Sequence, residues 1–138
     1  MADFNKVGLL ILNENNTKFM VCEKHPKEDT TSYIMPGGRI ENESDTDCIK
    51  REIKEELNTE VDLEGIEYIG EYVDVAAGHP GKNVSIKLYK GTLKGKPVPS
   101  SEIKYIHWIG KEQINDPKLS PILKNKIITD LVQRKILK

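Results

Sequence analysis

Glu52, Glu55 and Glu56 stand at i, i+3 and i+4 within Met35 to Thr59, MPGGRIENESDTDCIKREIKEELNT. At about 100° per residue they fall on one stripe of a helix, beside an apolar stripe of Ile49, Ile53 and Leu57. Three carboxylates that face one place repel and raise each other's pKa values, so the cluster is costly unless a cation sits among them. All-oxygen donors select a hard divalent ion, Mg²⁺ or Mn²⁺. The other reading of the same residues is a charged surface helix, with Arg51 and Glu55 paired at i, i+4 and the remaining glutamates solvated.

The stretch carries its own boundaries. Ser44 is placed as N-cap, with Asp47 three residues on to complete a capping box. The helix is expected to stop near Asn58, a residue able to adopt the left-handed conformation of a helix C-terminus. Gly37 and Gly38 precede it as a turn after a short apolar strand.

These residues resemble the Nudix box, G-x5-E-x7-R-E-U-x-E-E-x-G-U with U aliphatic, through Gly37, Glu43, Arg51, Glu52, Ile53, Glu55 and Glu56. Seven matched positions at fixed spacing support the metal site over the solvated helix. Asn58 replaces the family glycine and Thr59 the last aliphatic, with Val61 available to pack nearby. Both departures weaken the C-cap and neither touches the carboxylates. The family usually counts from the second glycine of the pair, so the loop between Gly38 and Glu43 is one residue short.

The chain has 138 residues, which suits one domain over 1–138. Net charge is −1 with 31% charged residues, so no global basic field argues for nucleic acid. The early apolar run Val7 to Leu12 is too short for a signal core or a membrane span, and a cytoplasmic location is expected. Cys22 and Cys48 have no CxxC or Cys/His pattern, which fits a reducing compartment and argues against zinc. Neither composition nor pattern fixes an oligomeric state.

Around the box the chain alternates elements. Val7 to Leu12 reads as a strand buried on both faces, and Asn13 to Asn16 as a turn making a hairpin with Lys18 to Glu23. A polar loop from His25 to Thr31 precedes the short strand Tyr33 to Met35. Ile66 to Val73, Val84 to Leu88 and Tyr105 to Ile109 read as further strands, the last placing Trp108 in the core. Loops run from Ala76 to Asn83 and from Lys94 to Glu102. Ser120 and Pro121 open a final helix with Leu123, Ile127, Leu131 and Val132 on its apolar face, and Lys135 and Lys138 suit its dipole. The order implies an α+β fold with a mixed sheet and helices on both faces, which is also the α/β/α sandwich with a mixed central sheet that the resemblance implies.

The resemblance further implies hydrolysis of a nucleoside diphosphate linked to another group, with a small-molecule nucleotide as partner. By it, Glu52, Glu55 and Glu56 hold the metal together with the backbone carbonyl of Gly37, and Arg51 orients a glutamate by a bidentate salt bridge. The base is a box or a loop glutamate, Glu52 or Glu102. Substrate contacts are sought at Arg39, Lys24 and Lys82, and base stacking at Tyr33, Tyr72 or Tyr89, although an exposed Lys is more often solvated and a strand Tyr more often core or rim. The substrate expected is a (d)NTP or a modified nucleotide. ADP-ribose or a dinucleoside polyphosphate is the alternative, and a non-catalytic nucleotide-binding module is the alternative outside enzymes.

Overall fold

The computed structural model describes residues 2–25, 32–76 and 78–138. Most of the polar loop expected between His25 and Thr31 thus lies outside the described residues, as does Ala77 in the second loop. The strands are β1 (Phe4–Leu10), β2 (Phe19–Lys24), β3 (Tyr33–Ile34), β4 (Gly37–Arg39), β5 (Glu67–Val75), β6 (Asn83–Lys90) and β7 (Ile103–Ile109). Helix α1 spans Asp45–Leu57, and a π-helical turn, Leu123–Ile127, runs into α2, Ile128–Gln133.

One sheet has the order β4-β1-β6-β5 and the other β3-β2-β7. β1 and β6 run parallel while every other named pair is antiparallel, which makes the first sheet mixed. Alternation along β1 explains its continuous apolar run: Val7 and Leu9 join Ile11, Met20 and Cys22 against Ile49, Ile53 and Leu57 of α1. Leu10, with Phe19 and Val21, faces the opposite way, onto Leu123, Ile127, Ile128 and Leu131 of the C-terminal helix. The three apolar side chains of α1 are fully buried, each contributing roughly 1.5–3 kcal/mol. Helix, sheet and helix thus form three layers.

The hairpin expected between the first two strands is corrected. The turn forms, with Asn13 Oδ1 accepting from the Thr17 and Lys18 amides at 2.9 and 3.0 Å, and Leu12 bridges Phe19. Beyond that the strands part into different sheets, because both edges of β1 are already taken by β4 and β6. The glycine turn is also corrected, since Gly37 and Gly38 lie in β4 and pair with Gly8 and Val7. Trp108 is not core: it is 43% exposed, on β7, which is an edge strand of the smaller sheet among the described residues. No helix among the described residues is long and apolar enough to cross a membrane.

Candidate active site

Helix α1 is held at both ends by the residues that its sequence marks. Ser44 Oγ accepts from the Asp47 amide at 3.2 Å, and Asn58 is left-handed at φ 51°, ψ 38°, its amide bonding to Lys54 O. The short loop before the helix is closed by Asn42 at φ 53°, a left-handed residue that turns the chain sharply enough to save one position. Glu43 therefore reaches Arg51 despite the missing residue.

Arg51 is the hub of the helix surface. Its Nη2 and Nε donate to the two carboxylate oxygens of Glu43 at 2.6 and 3.3 Å, its Nη1 donates to Glu52 at 2.8 Å, and Nη2 also reaches the Arg39 carbonyl at 3.1 Å. The fork holds the Glu43 carboxyl down at about 2 and raises the guanidinium's own pKa. Glu52 is pushed the other way, up, because burial outweighs the Arg51 contact. Cys48, fully buried, sits one turn earlier with its Sγ 3.2 Å from the Arg39 carbonyl.

Gly37 and Gly38 are glycines for different reasons. At φ 141°, a Cβ on Gly37 would strike the Val7 carbonyl, whereas one on Gly38 would strike the Glu52 carboxylate. Gly37 donates its N–H to Glu56 Oε1 at 2.9 Å, and Glu56 is only 3% exposed. Burial pushes the Glu56 carboxyl up to about 8, further than the Gly37 hydrogen bond pulls it down.

A cleft of about 470 Å³ opens beside these groups, within the usual size of small-molecule sites. Of the residues singled out in the sequence, Gly37, Glu52, Glu56, Glu102, Lys24 and Arg39 line it. Glu102 is half exposed and its carboxylate lies 3.7 Å from Lys24 Nζ. Glu55 does not line the cleft: its side chain is 55% exposed and lies 3.7 Å from Arg51 Nη1. The single stripe of three carboxylates is corrected to a split one, because i+4 spacing keeps Glu52 and Glu56 inward while Glu55 falls on the flank. Among the described residues no three acidic, His or Cys side chains converge closely enough to hold an ion as they stand.

Tyr33 and Lys82 are not in the cleft wall. The Tyr33 ring packs on His107 at 4.8 Å, and Lys82 closes an exposed turn through its backbone. Tyr72 and Tyr89 are engaged elsewhere, by Asp130 and Asp45. Phe4 and Lys6, which the sequence reading did not single out, line the cleft together with His79. The Phe4 ring lies 5.0 Å from His79 and 4.6 Å under the Arg39 guanidinium. The alternation of Phe4, Lys6 and Gly8 was a usable signal, but the strand was started at Val7.

The chain is 28% identical over 130 residues to two Saccharomyces cerevisiae proteins, an mRNA-decapping enzyme subunit 2 and an m7GpppN-mRNA hydrolase. The match covers 91% of this chain but only 13% of those relatives. Among solved structures, the MutT protein of Methanosarcina mazei superposes with a TM-score of 0.72 at 19% identity, covering 98% of this chain and 96% of that one. The Escherichia coli ORF135 protein gives 0.73 at 19% identity, covering 95% and 90%. A Francisella tularensis bifunctional NMN adenylyltransferase/ADP ribose pyrophosphatase gives 0.66 at 21%, covering 94% and 40%. At these identities the structures share the fold. A family model described as NUDIX domain matches residues 4–131, nearly the whole chain, and with the box geometry above it makes this protein a member of the Nudix family.

Proposed function

We propose that the chain is a divalent-metal-dependent pyrophosphohydrolase of small nucleotides, acting on a (d)NTP or a modified nucleotide. The observation that carries this is the make-up of the cleft, in which Glu52, Glu56 and Glu102 share a space with Lys24 and Arg39 and with an apolar wall that includes Val84, Ile86 and Leu123. Carboxylates suit metal, cations suit phosphate, and the apolar wall suits a base.

The donor set fits Mg²⁺ or Mn²⁺. Glu56 is a nearly buried carboxylate without an ion-pair partner among the described residues, a costly arrangement that a cation would relieve. Glu52 and Glu56, with the Gly37 carbonyl, would hold the ion, and Glu55 would complete the set by turning in from the flank of the helix. When bound, it neutralises phosphate oxygens and acidifies a water. The protein's own part is positioning: Arg51 fixes Glu52 through Nη1, and Lys24 sits beside Glu102. Glu52 is the first candidate for the base, as the more enclosed of the two, and Glu102 the second.

The likeness to the decapping relatives motivates a second reading, hydrolysis of a capped RNA end. Release of phosphate, pyrophosphate or nucleoside monophosphate from a panel of (d)NTPs, oxidised (d)NTPs, ADP-ribose, dinucleoside polyphosphates and capped RNA, with and without Mg²⁺, separates them. Turnover of a (d)NTP that requires Mg²⁺ and exceeds all other substrates is the expected result. Preference for ADP-ribose, a dinucleoside polyphosphate or capped RNA would replace this substrate assignment. Nucleotide binding with no turnover would make the protein a binding module.

A further inference from the structure

Lys6 was not among the residues the sequence marked, yet it stands in the cleft midway along β1. Phe4, Lys6 and Gly8 share one face of that strand at steps of about 6.6 Å. Phe4 belongs to the aromatic and apolar end, where its ring meets His79 and Arg39. Gly8 is paired with Gly37, whose amide holds Glu56 at the carboxylate end. Lys6 lies between the two.

Its surroundings are unfavourable for a cation. Lys6 is directly opposite Arg39 across the β1–β4 pair, an arrangement of like charges that destabilises a sheet. Lys24 lines the same cleft, and among the described residues neither Lys6 nor Arg39 has a carboxylate in an ion pair. Partial burial, then Lys24 and Arg39, push the Lys6 pKa below its ordinary value, outweighing the opposite pull of the Glu56 and Glu102 carboxylates. An anion between Lys6 and Arg39 offsets the repulsion between them.

We propose that Lys6, with Arg39, forms the subsite for the nucleoside-proximal phosphate, the α-phosphate of the substrate and the phosphate of a nucleoside monophosphate product. The inference rests on the small-nucleotide reading and gives it a direction: base at the Phe4 end, α-phosphate on Lys6, scissile link at Glu52 and Glu56. Lys6 donates charge-assisted hydrogen bonds to phosphate oxygens in this arrangement and takes no part in proton transfer.

Calorimetry with AMP, GMP, CMP and UMP and the four matching nucleosides, in EDTA, tests the subsite on the parent, Lys6→Gln and Lys6→Arg. The parent should bind at least one monophosphate about tenfold more tightly than its nucleoside. Lys6→Gln should lose about that factor for the monophosphate and nothing for the nucleoside, while Lys6→Arg keeps most of it. Because the substitution relieves like-charge repulsion, the melting temperature of Lys6→Gln should not fall. Unchanged monophosphate affinity in Lys6→Gln overturns the subsite, and so does an equal loss for nucleoside and monophosphate, which would mean a base contact. If the parent hydrolyses nucleotides yet binds no monophosphate, the subsite falls and the function stands. If it binds monophosphate through Lys6 but hydrolyses none of the panel, the function falls and the subsite stands.

Discussion

Replacing Glu56 by Gln isolates the electrostatic cost of the cleft. Glu56 is 3% exposed, accepts only the Gly37 amide among the described hydrogen bonds, and its carboxyl is pushed by burial from 4.5 to about 8. An acid whose folded pKa is raised favours the folded state while protonated. Its contribution is complete below about pH 4.5 and is lost as pH rises through about 8. At about 1.4 kcal/mol per tenfold in the ionisation constant, the loss is bounded by about 5 kcal/mol. Relaxation of the surroundings and the cleft's access to water reduce that to about 2–3 kcal/mol. Gln keeps the shape and the acceptor for Gly37 and carries no charge. Metal-free Glu56→Gln should therefore match the parent near pH 4.5 and melt about 6–12 °C higher near pH 8.5. Millimolar Mg²⁺ should raise the parent's melting temperature near pH 8.5 and leave the variant's unchanged, while turnover by the variant drops at least about a hundredfold. Circular-dichroism melts across this pH range, in EDTA and in Mg²⁺, make the measurement. A variant less stable than the parent near pH 8.5 in EDTA, or two pH curves that run parallel, would refute the reasoning.

Arg51→Lys breaks the fork to Glu43 while keeping the charge, and should cost about 1–2 kcal/mol and lower kcat/KM, read by urea unfolding and steady-state kinetics; unchanged stability would mean that the fork holds nothing in place. Asn58→Gly removes a Cβ from a left-handed position and should stabilise by about 0.5–1 kcal/mol in the same unfolding assay, a loss of stability being the contrary result. Glu52→Gln should reduce turnover more than Glu102→Gln, and Glu102→Gln should retain the acidic limb of the pH-rate profile. If Glu102→Gln abolishes that limb and Glu52→Gln only weakens Mg²⁺ dependence, the loop glutamate is the base.

What could be read from the sequence was what local physics decides. Ser44 and Asn58 mark the ends of α1 because capping involves residues within one turn, and Ile49, Ile53 and Leu57 mark its buried face because helical period is local. The two-sided burial of β1 followed equally from its unbroken apolar run. Partner choice was not local. The turn at Asn13 to Asn16 suggested a hairpin, but which strand occupies each edge of β1 depends on segments more than twenty-five residues away. The same limit hid the cleft's composition, since Lys6, Arg39 and Glu56 meet only through the pairing of β4 with β1 and the packing of α1. Trp108 was misjudged for that reason too, because hydrophobicity gives a tendency to be buried and only topology says which strand lies at an edge.

The loop before α1 shows how a spacing rule and its physical content can separate. Counted from Gly38, Glu43 comes one residue early, which in a rigid connection would turn its carboxylate away from Arg51. The chain instead adopts a left-handed turn at Asn42, a residue whose short side chain tolerates that conformation. The Glu41 amide donates to Glu43 Oε1 at 3.2 Å, and both Glu43 oxygens still face the guanidinium. What the helix requires is a carboxylate opposite the fork, so that Arg51 is pinned on one side and can hold Glu52 on the other. Here the chain brings it there with one residue fewer, through the left-handed Asn42.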